Sequence, residues 1–254
     1  MNEICPIYGN KKIINTRDGS YTFYSMEYNE SYKTKSVGAF TESMHKFVYG
    51  TDLINRAKEK DIRILDICFG VGMNISASFD MAIKNNISNK IHIVSVEKDY
   101  SLINLVKNLD FLFPSIGYKK VQHELTKIYS SYGNIYSNHK DFNIQKHNSI
   151  IENKDFYRNL SMELYIQDAV EFIYSLNSTF DVIYFDPFSK KHNIEMWSDN
   201  MFIKLYSLLN SGGVLTTYGA SKSIKESLSN AGFQVSSLSS IGYRHQPATK
   251  AIKL

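Results

Sequence analysis

Several residue types and patterns are scarce in this chain, and each scarcity excludes a class of protein. Only two cysteines occur, Cys5 and Cys68, which are too few for a disulfide framework or a cysteine-rich zinc site. Four prolines and 13 glycines among 254 residues exclude collagen-like and linker-dominated chains. No apolar run is long enough for a membrane span, and the first residues contain no apolar segment typical of a secretion signal. We therefore expect a cytoplasmic protein with reduced thiols and no membrane partner.

The composition is that of a globular protein. Hydrophobic residues make up 43% of the chain, aromatic residues 13% and charged residues 21%, with a net charge of +4, which excludes a disordered chain. The positive charge is concentrated in two places. Residues 118–161 carry seven Lys or Arg against four acids, and the last 15 residues carry Arg244, Lys250 and Lys253 without an acid. A solvated surface and a polyanionic partner both fit this pattern, and charge alone favours the first.

Apolar segments and helical patterns alternate along most of the chain. Short apolar runs typical of buried strands are found at 62–68, 91–96, 162–166, 180–185 and 214–218, and helical patterns separate them. This order predicts an α/β fold with a mostly parallel sheet and helices on both faces.

The first 60 residues form an N-terminal extension in this interpretation. The turn signal at 18–20 lies between two β-like stretches, 13–16 and 21–25, and predicts a β-hairpin. Residues 39–60 have the spacing of one helix. The main domain then covers 61–254, with a basic, Tyr- and Asn-rich insertion at about 110–160 over the carboxyl edge of the sheet.

Three acidic residues follow predicted strands. Glu97 and Asp186 come directly after their strands, and Asp168 lies two residues past another. Ligands bind at the carboxyl ends of strands in open α/β sheets, so we expect these acids to line one site. Each has a structural alternative: Glu97 can be an exposed strand end, Asp168 a helix N-cap and Asp186 part of a strand-terminating turn.

Two glycines follow the first buried strand. Gly70 and Gly72 let a backbone pass close to a ligand without a Cβ, but position 75 is Ile, so the dinucleotide fingerprint is incomplete. A tight strand-to-helix turn fits equally well. Glu97 favours the ligand loop, because a carboxylate there can accept hydrogen bonds from both hydroxyls of a ribose.

Other catalytic arrangements have no support. The histidines are not spaced as metal ligands, so we expect no metal. The chain has no Gly-x-Ser-x-Gly motif, and neither cysteine has a positioned histidine, which argues against nucleophilic hydrolysis.

The motifs together resemble the MnmC-like methyltransferases, stand-alone relatives of the methyltransferase half of the bifunctional enzyme of tRNA wobble-uridine modification. The most specific stretch is DPFSKKHNIEMW at 186–197. The other matching stretches are 16–22, 30–32, 38–39, 42–43, Asp66 with 69–74, 96–98, 168–169, 212–218 and 231–233.

The resemblance implies a Rossmann-like fold that binds S-adenosylmethionine and methylates the amine of 5-aminomethyluridine, often 2-thiolated, at the tRNA wobble position. It implies that Gly70 and Gly72 line the methionine side, that Glu97 holds the ribose and that Asp168 meets the adenine. Asp186 is then the catalytic carboxylate, which orients the amine and accepts its proton. The cofactor-binding residues carried over from the family are Gly70, Gly72, Asn74, Glu97, Asp168 and Asp186.

The resemblance also implies partners. The anticodon stem-loop of tRNA is expected to meet the basic insertion and the C-terminal tail, with the protein as a monomer. The chain is too short for the flavin-dependent half of the bifunctional enzyme, so we expect no flavin. Lys190 and Ile194 stand where the family commonly has proline, and the basic tail motif is reduced to 242–245, which weakens the case for RNA contacts by the tail.

Two other functions remain open at this point. One is a methyltransferase or aminopropyltransferase of the same fold acting on a small amine, for which an acidic pocket mouth is expected. The other is a non-catalytic RNA-binding module, which needs none of the three strand-end acids.

Overall fold

The computed structural model describes residues 7–132, 157–239 and 247–254, and over these residues the chain folds into two β-sheets and a set of helices. The strands are β1 Ile7–Tyr8, β2 Lys11–Asn15, β3 Tyr21–Ser25, β4 Glu30–Ser31, β5 Ile62–Ile67, β6 Ile91–Val96, β7 Leu160–Tyr165, β8 Phe180–Phe185, β9 Leu209–Thr217, β10 Gln234–Leu238 and β11 Ala248–Ile252. The α-helices are α1 Ala39–Ser43, α2 Leu53–Glu59, α3 Met73–Lys84, α4 Tyr100–Asn108, α5 Ile116–Tyr132, α6 Ala169–Ser175, α7 Asp199–Ser207 and α8 Lys222–Asn230.

The larger sheet has seven strands in the order β10-β11-β9-β8-β5-β6-β7. Strands β9, β8, β5, β6 and β7 are parallel neighbours, and β11 is antiparallel to both β9 and β10. The predicted α/β fold with a mostly parallel sheet is therefore confirmed. Since the five parallel strands point the same way, their carboxyl ends meet at one edge of the sheet.

Helices cover both faces of this sheet, because its central strands are apolar on both sides. Alternate residues of β5 enter opposite cores: Ile62 and Ile64 pack with α2, α3, α4 and α5, whereas Leu65 and Ile67 pack with α6, α7 and α8. All four side chains are buried. A strand buried on both faces requires the continuous apolar run found here.

The N-terminal residues form a second, antiparallel sheet in the order β1-β2-β3-β4. The predicted hairpin corresponds to β2 and β3, which pair from Lys11 with Ser25 to Asn15 with Tyr21. Strands β1 and β4 have only two residues each, too short to show a period-2 pattern, and the sequence pattern does not predict them. Strand β4 matters because it leads directly into the site.

The single helix predicted at 39–60 is divided. Helix α1 passes into a π-helix at Met44–Tyr49, and α2 starts after Asp52, whose φ of 55° interrupts the helical backbone. The apolar spacing is the same on both sides of the break, which explains why the pattern predicts one helix.

The predicted insertion begins with regular structure. Residues 116–132 form α5, which packs against α3 through the buried Tyr118, Val121 and Leu125 and so belongs to the helical layer. These three residues have helical spacing among many polar ones, which masks the pattern. The rest of the predicted insertion, 133–156, lies outside the described residues.

The strand predicted at 214–218 is longer than expected. Strand β9 starts at Leu209 and continues through Gly212 and Gly213, with an irregular register against β8. These glycines precede the predicted strand at 214–218, whereas they lie within β9 in the structure. Strand β11, at the end of the chain, is also absent from the predicted elements.

Candidate active site

A cavity of about 800 Å³ lies at the carboxyl edge of the parallel strands. Each of the five parallel strands contributes wall residues at or just past its end. In the order of the strands, these are Asp168 after β7, Glu97 after β6, Gly70 after β5, Asp186 after β8 and Tyr218 after β9. The volume is in the range of pockets for small molecules and cofactors. The predicted gathering of the three acids in one cavity is thus what the structure shows.

Glu97 and Gly70 are hydrogen-bonded across neighbouring strand ends. Glu97 Oε2 accepts from the backbone N–H of Gly70 at 3.0 Å, and Oε1 accepts from the backbone N–H of Asp99 at 3.0 Å. The carboxyl is buried, which raises its pKa. Each oxygen keeps a lone pair that can accept from a ligand hydroxyl, so this geometry fits a ribose diol.

Asp168 caps helix α6 while it lines the cavity. Its Oδ1 accepts from the backbone N–H groups of Val170 at 2.8 Å and Glu171 at 3.4 Å, which is the N-cap arrangement. The structural alternative for Asp168 is therefore present in the structure. It leaves the second carboxylate oxygen for a ligand, so the two roles are compatible.

Asp186 is held by two side chains from other elements. Its Oδ2 accepts from Lys33 Nζ and from Asn74 Nδ2, the latter at 3.0 Å. Lys33 Nζ also donates to Asn74 Oδ1 at 2.6 Å, which closes a triangle of three polar groups. Burial raises the pKa of the Asp186 carboxyl, and the ammonium of Lys33 acts in the opposite direction. Asp186 thus follows the end of β8, as the structural alternative has it, and its side chain is also bonded to two other elements.

A second buried ion pair adjoins this triangle. Lys46 Nζ donates to Glu42 Oε1 at 2.6 Å, and Thr34 donates to Glu42 through its backbone N–H and its hydroxyl. Burial opposes ionisation of Glu42, but Lys46 and Lys33 outweigh it and hold the pKa of this carboxyl below its ordinary value. Lys46 is therefore already paired with a carboxylate.

Asp66 lies behind the triangle in the middle of the sheet. It is 1% exposed, and its Oδ2 accepts from Ser95 Oγ on β6 at 2.6 Å. Burial raises the pKa of Asp66 to about 7. This carboxyl does not line the cavity; it acts as a buried neighbour of Asp186.

The N-terminal sheet closes one side of the cavity with aromatic rings. Tyr28 stacks on Phe188 with ring centroids 4.8 Å apart, and Tyr32 lies 4.9 Å from the same ring. Glu30 accepts from the backbone N–H and hydroxyl of Ser189, at 2.9 Å from the hydroxyl. The segment around β4 therefore packs against the loop that carries Asp186 and is hydrogen-bonded to it.

The same loop is anchored from the core. Trp197, 2% exposed, donates from Nε1 to the carbonyl of Phe188 at 2.9 Å. Its ring also packs against Tyr218 with centroids 5.6 Å apart. Trp197 is thus a core residue that orients the loop.

Two further residues of the cavity wall, Tyr218 and Cys68, carry buried groups that can lose a proton. The hydroxyl of Tyr218 is buried and has no hydrogen-bond partner among the described residues, and burial beside Asp186 raises its pKa, so it stays protonated. Cys68 has a φ of 70°, and burial, with Glu97 and Asp186 nearby, raises the pKa of its thiol. Tyr218 is thus a free donor for a ligand, whereas Cys68 is not an activated nucleophile.

The two glycines of the predicted cofactor loop differ in their surroundings. Gly72 precedes α3 with a φ of 69°, and a Cβ there would lie 2.7 Å from the Phe69 ring, so the turn requires glycine. Gly70 lines the cavity and has more room, since a Cβ on it would lie 3.4 Å from the ring of Tyr32. Gly72 is not part of the cavity wall.

Asn74, also predicted to bind the cofactor, lies outside the cavity wall as well. Its side chain faces Lys33 and Asp186 instead. Contact of Gly72 and Asn74 with a cofactor therefore stays a prediction.

Lys33, Tyr28 and Tyr32 are site residues that the sequence reasoning did not predict. They lie in the N-terminal sheet or just after it, far in sequence from the strands whose ends form the cavity. Glu30 and Tyr32 belong to the stretch 30–32, which matches the MnmC-like family. This match is the sequence signal that could have placed this segment at the site.

The surfaces predicted to meet RNA are only partly described. Lys190 and Lys191 are exposed beside the loop that carries Asp186. Lys253 is used within the fold, since its Nζ donates to the carbonyls of Tyr206 and Leu209. The predicted tail contact at 242–245 lies outside the described residues.

Two features are absent from the part of the chain that the structure describes. It contains no group of three or more His, Cys, Asp or Glu side chains placed to hold a metal ion. None of its helices is both long and apolar enough to cross a bilayer.

Comparisons with known proteins point to one family. The model of a family described as S-adenosyl-L-methionine-dependent methyltransferase matches residues 135–253. An uncharacterized protein of Methanocaldococcus jannaschii is 27% identical over 241 residues, which are 95% of this chain and 59% of that protein. The tRNA 5-methylaminomethyl-2-thiouridine biosynthesis bifunctional protein MnmC of Leptospira borgpetersenii is 24% identical over 82% of this chain and 30% of its own length. The chain thus spans less than two thirds of the length of each of these curated relatives.

A solved structure agrees. The crystal structure of MNMC2 from Aquifex aeolicus superposes with a TM-score of 0.74 at 27% identity, covering 98% of this chain and 72% of that one. These findings confirm the resemblance drawn from the motifs and the predicted fold.

Proposed function

We propose that this chain, by family an S-adenosylmethionine-dependent methyltransferase of the MnmC-like type, methylates the amine of 5-aminomethyluridine, 2-thiolated or not, at the tRNA wobble position. The product is 5-methylaminomethyluridine or its 2-thio form. The observation that carries the proposal is the placement of Asp186, which lies in a matching motif, in the cavity that also contains Glu97.

The cavity fits S-adenosylmethionine on three observations. Glu97 has lone pairs available for ribose hydroxyls, Asp168 has a free oxygen for the adenine amine, and the Tyr218 hydroxyl is an unpaired buried donor among the described residues. Glu97 follows β6 and Asp186 follows β8, with β5 between them, so their strands are roughly 10 Å apart. A nucleoside held at Glu97 therefore has room to extend towards Asp186.

The chemistry requires little more than alignment and proton transfer. When bound, S-adenosylmethionine supplies a methyl group that its sulfonium already activates. The substrate nitrogen forms a bond to this methyl carbon as the carbon–sulfur bond breaks, and the nitrogen loses one proton. Asp186 orients the amine and accepts that proton, directly or through water, which contributes roughly 10²–10⁴-fold to the rate. The aromatic wall of Tyr28, Tyr32 and Phe188 provides apolar surface for a pyrimidine ring and excludes water.

We propose tRNA as the partner on chemical grounds. The anticodon stem-loop of tRNA is expected to contact Lys190 and Lys191, which are exposed beside the catalytic loop, and the basic residues at 133–156 and 242–245. We expect the protein to act as a monomer in the cytoplasm without metal or flavin.

A small amine is the second candidate substrate, favoured by one observation. The charged residues that line the cavity are eight carboxylates and only four lysines. An acidic wall attracts a cationic amine, which is the pocket expected for a small amine substrate.

Methyl transfer from labelled S-adenosylmethionine distinguishes these candidates. Bulk tRNA from a strain that cannot complete this wobble modification is compared with tRNA from a strain that can, and with small amines such as putrescine and spermidine. Label in the first tRNA alone supports the proposal. Label in a small amine, with none in tRNA, supports the second candidate. Tight tRNA binding without transfer supports the RNA-binding module.

A further inference from the structure

Lys33 is a buried cation in contact with the carboxylate proposed to be catalytic. Its side chain is 6% exposed, and its Nζ donates to Asp186 Oδ2 and to Asn74 Oδ1 and lies 4.7 Å from the centre of the Phe47 ring. Burying an ammonium is unfavourable because it loses its hydration, and contacts of this kind offset that loss. Lys33 comes from the segment after β4, so the N-terminal extension supplies a charge to a site built on the main sheet.

We propose that Lys33 is a positioning residue that sets the charge state of the amine site: its ammonium keeps Asp186 ionised and disfavours a second cation beside it, so that the substrate amine is bound ready for attack. The inference rests on the proposed function and deepens it. It assigns to Lys33 the control of two protonation states that methyl transfer needs, an ionised Asp186 and a neutral substrate amine.

Among the neighbouring charged groups, Lys33 is the one placed to stabilise the ionised form of Asp186. The titratable groups that interact electrostatically with Lys33 or with Asp186 are Glu42, Asp66, Cys68 and Tyr218, with Lys46 beside Glu42. Lys46 is bonded to Glu42, Asp66 has a pKa of about 7, and burial keeps Cys68 and Tyr218 protonated. Between Lys33 and Lys46, Lys33 is the cation that is hydrogen-bonded to Asp186.

The positive charge of Lys33 lowers the pKa of both reacting groups, the Asp186 carboxyl and the substrate amine. A positive charge within about 4–6 Å lowers the pKa of a carboxyl by roughly 1–3 units, and it also lowers the pKa of an amine because a like charge disfavours the protonated form. Lys33 therefore opposes the effect of burial on Asp186 and lowers the pKa of a substrate amine bound next to it. Since transfer needs a neutral amine and an ionised acceptor, both changes extend activity to lower pH.

The test is the pH dependence of kcat and kcat/KM for tRNA methylation between about pH 6 and about pH 10. Lys33→Gln keeps a hydrogen-bond donor but removes the charge, and Lys33→Arg keeps the charge. We expect Lys33→Gln to move the acidic limb of the kcat profile up by about one pH unit or more, with the rate recovering at high pH. Lys33→Arg should leave the limb within about half a unit of its original position.

Lys46→Gln is the matched control, because it removes a buried ammonium of the same cluster that is bonded to Glu42 rather than Asp186. Its shift should be less than half of that of Lys33→Gln. Equal shifts in the two variants would overturn the inference, as would a Lys33→Gln rate reduced by the same factor at every pH.

Folding and substrate are controlled separately. S-adenosylmethionine affinity and thermal unfolding report whether each variant is folded, and Lys33→Met is a second neutral variant of similar length. If the unmodified protein transfers no methyl group to tRNA at any pH, the proposed function fails. If it transfers the group and the neutral variants keep its pH profile, only the role of Lys33 fails.

Discussion

Glu97 accepts a hydrogen bond from the backbone N–H of Gly70 at 3.0 Å, so the acid that follows β6 fixes the loop that follows the neighbouring strand β5. A loop that the protein itself holds in place loses less conformational freedom on binding a ligand, which favours affinity. The pair therefore connects the glycine loop to the residue expected to hold the ribose.

We expect Glu97→Ala to weaken S-adenosylmethionine binding about 10- to 100-fold, because the variant loses the carboxylate that accepts from the ribose hydroxyls and releases the Gly70 loop. Isothermal titration calorimetry measures the dissociation constant. Glu163→Ala, an acid on β7 that is about half exposed and lies outside the cavity wall, is the control and should bind normally. An unchanged constant for Glu97→Ala would exclude the ribose role.

Asp186→Asn should separate chemistry from binding. The side chain keeps its size and can still accept from Lys33, but it no longer carries the charge that accepts a proton. The cofactor dissociation constant should stay within about threefold, whereas kcat should fall roughly 10²–10⁴-fold. Single-turnover transfer of labelled methyl measures the chemical step. Turnover near the original rate would make Asp186 a structural acid.

The contact between Glu30 and Ser189 should behave as one unit. Glu30→Gln and Ser189→Ala each weaken a hydrogen bond to a charged acceptor that holds the catalytic loop, and each should lower kcat/KM about tenfold. The double variant should be little worse than Glu30→Gln alone, because Glu30→Gln removes the charged acceptor that both the hydroxyl and the backbone N–H of Ser189 use. Additive losses in this double-mutant cycle would show that the two residues act independently.

Asp66 should make stability depend on pH. Its folded pKa of about 7 lies above the ordinary carboxyl value of 3.8, so the folded state retains a proton that the unfolded state loses, and stability falls as the pH rises from about 4 to about 7. Asp66→Asn removes this loss. Relative to the original protein, its free energy of unfolding should rise with pH by at most roughly 4 kcal/mol, since three units correspond to about 1.4 kcal/mol each.

Urea unfolding of both proteins at about pH 4, about pH 6 and about pH 8 measures this difference in the free energy of unfolding. The two proteins should be most alike at the lowest pH. A constant difference at all three values would show that Asp66 has the same pKa in both states.

The strand-end residues are predictable from sequence because the signal is local. Glu97 and Asp186 each follow a short apolar run directly, and a parallel sheet brings the ends of such runs together without any knowledge of the loops. The two-face burial of β5 is visible in the same way, as a continuous apolar segment.

Lys33 is not predictable by that reasoning. It is 153 residues from Asp186, and its role depends on how the N-terminal sheet docks on the main sheet, which no local pattern encodes. Helix α5 escapes prediction for a different reason: its buried Tyr118, Val121 and Leu125 are outnumbered by polar residues, so composition masks the helical spacing.

The measurement that tests the central claim most directly is nucleoside mass analysis of tRNA treated with S-adenosylmethionine and either the original protein or Asp186→Asn. The tRNA comes from a strain that accumulates the 5-aminomethyl precursor. We predict that 5-methylaminomethyluridine, or its 2-thio form, appears with the original protein and is nearly absent with the variant. An unchanged precursor, with S-adenosylmethionine bound by the original protein, would contradict the proposal and direct the search to another amine.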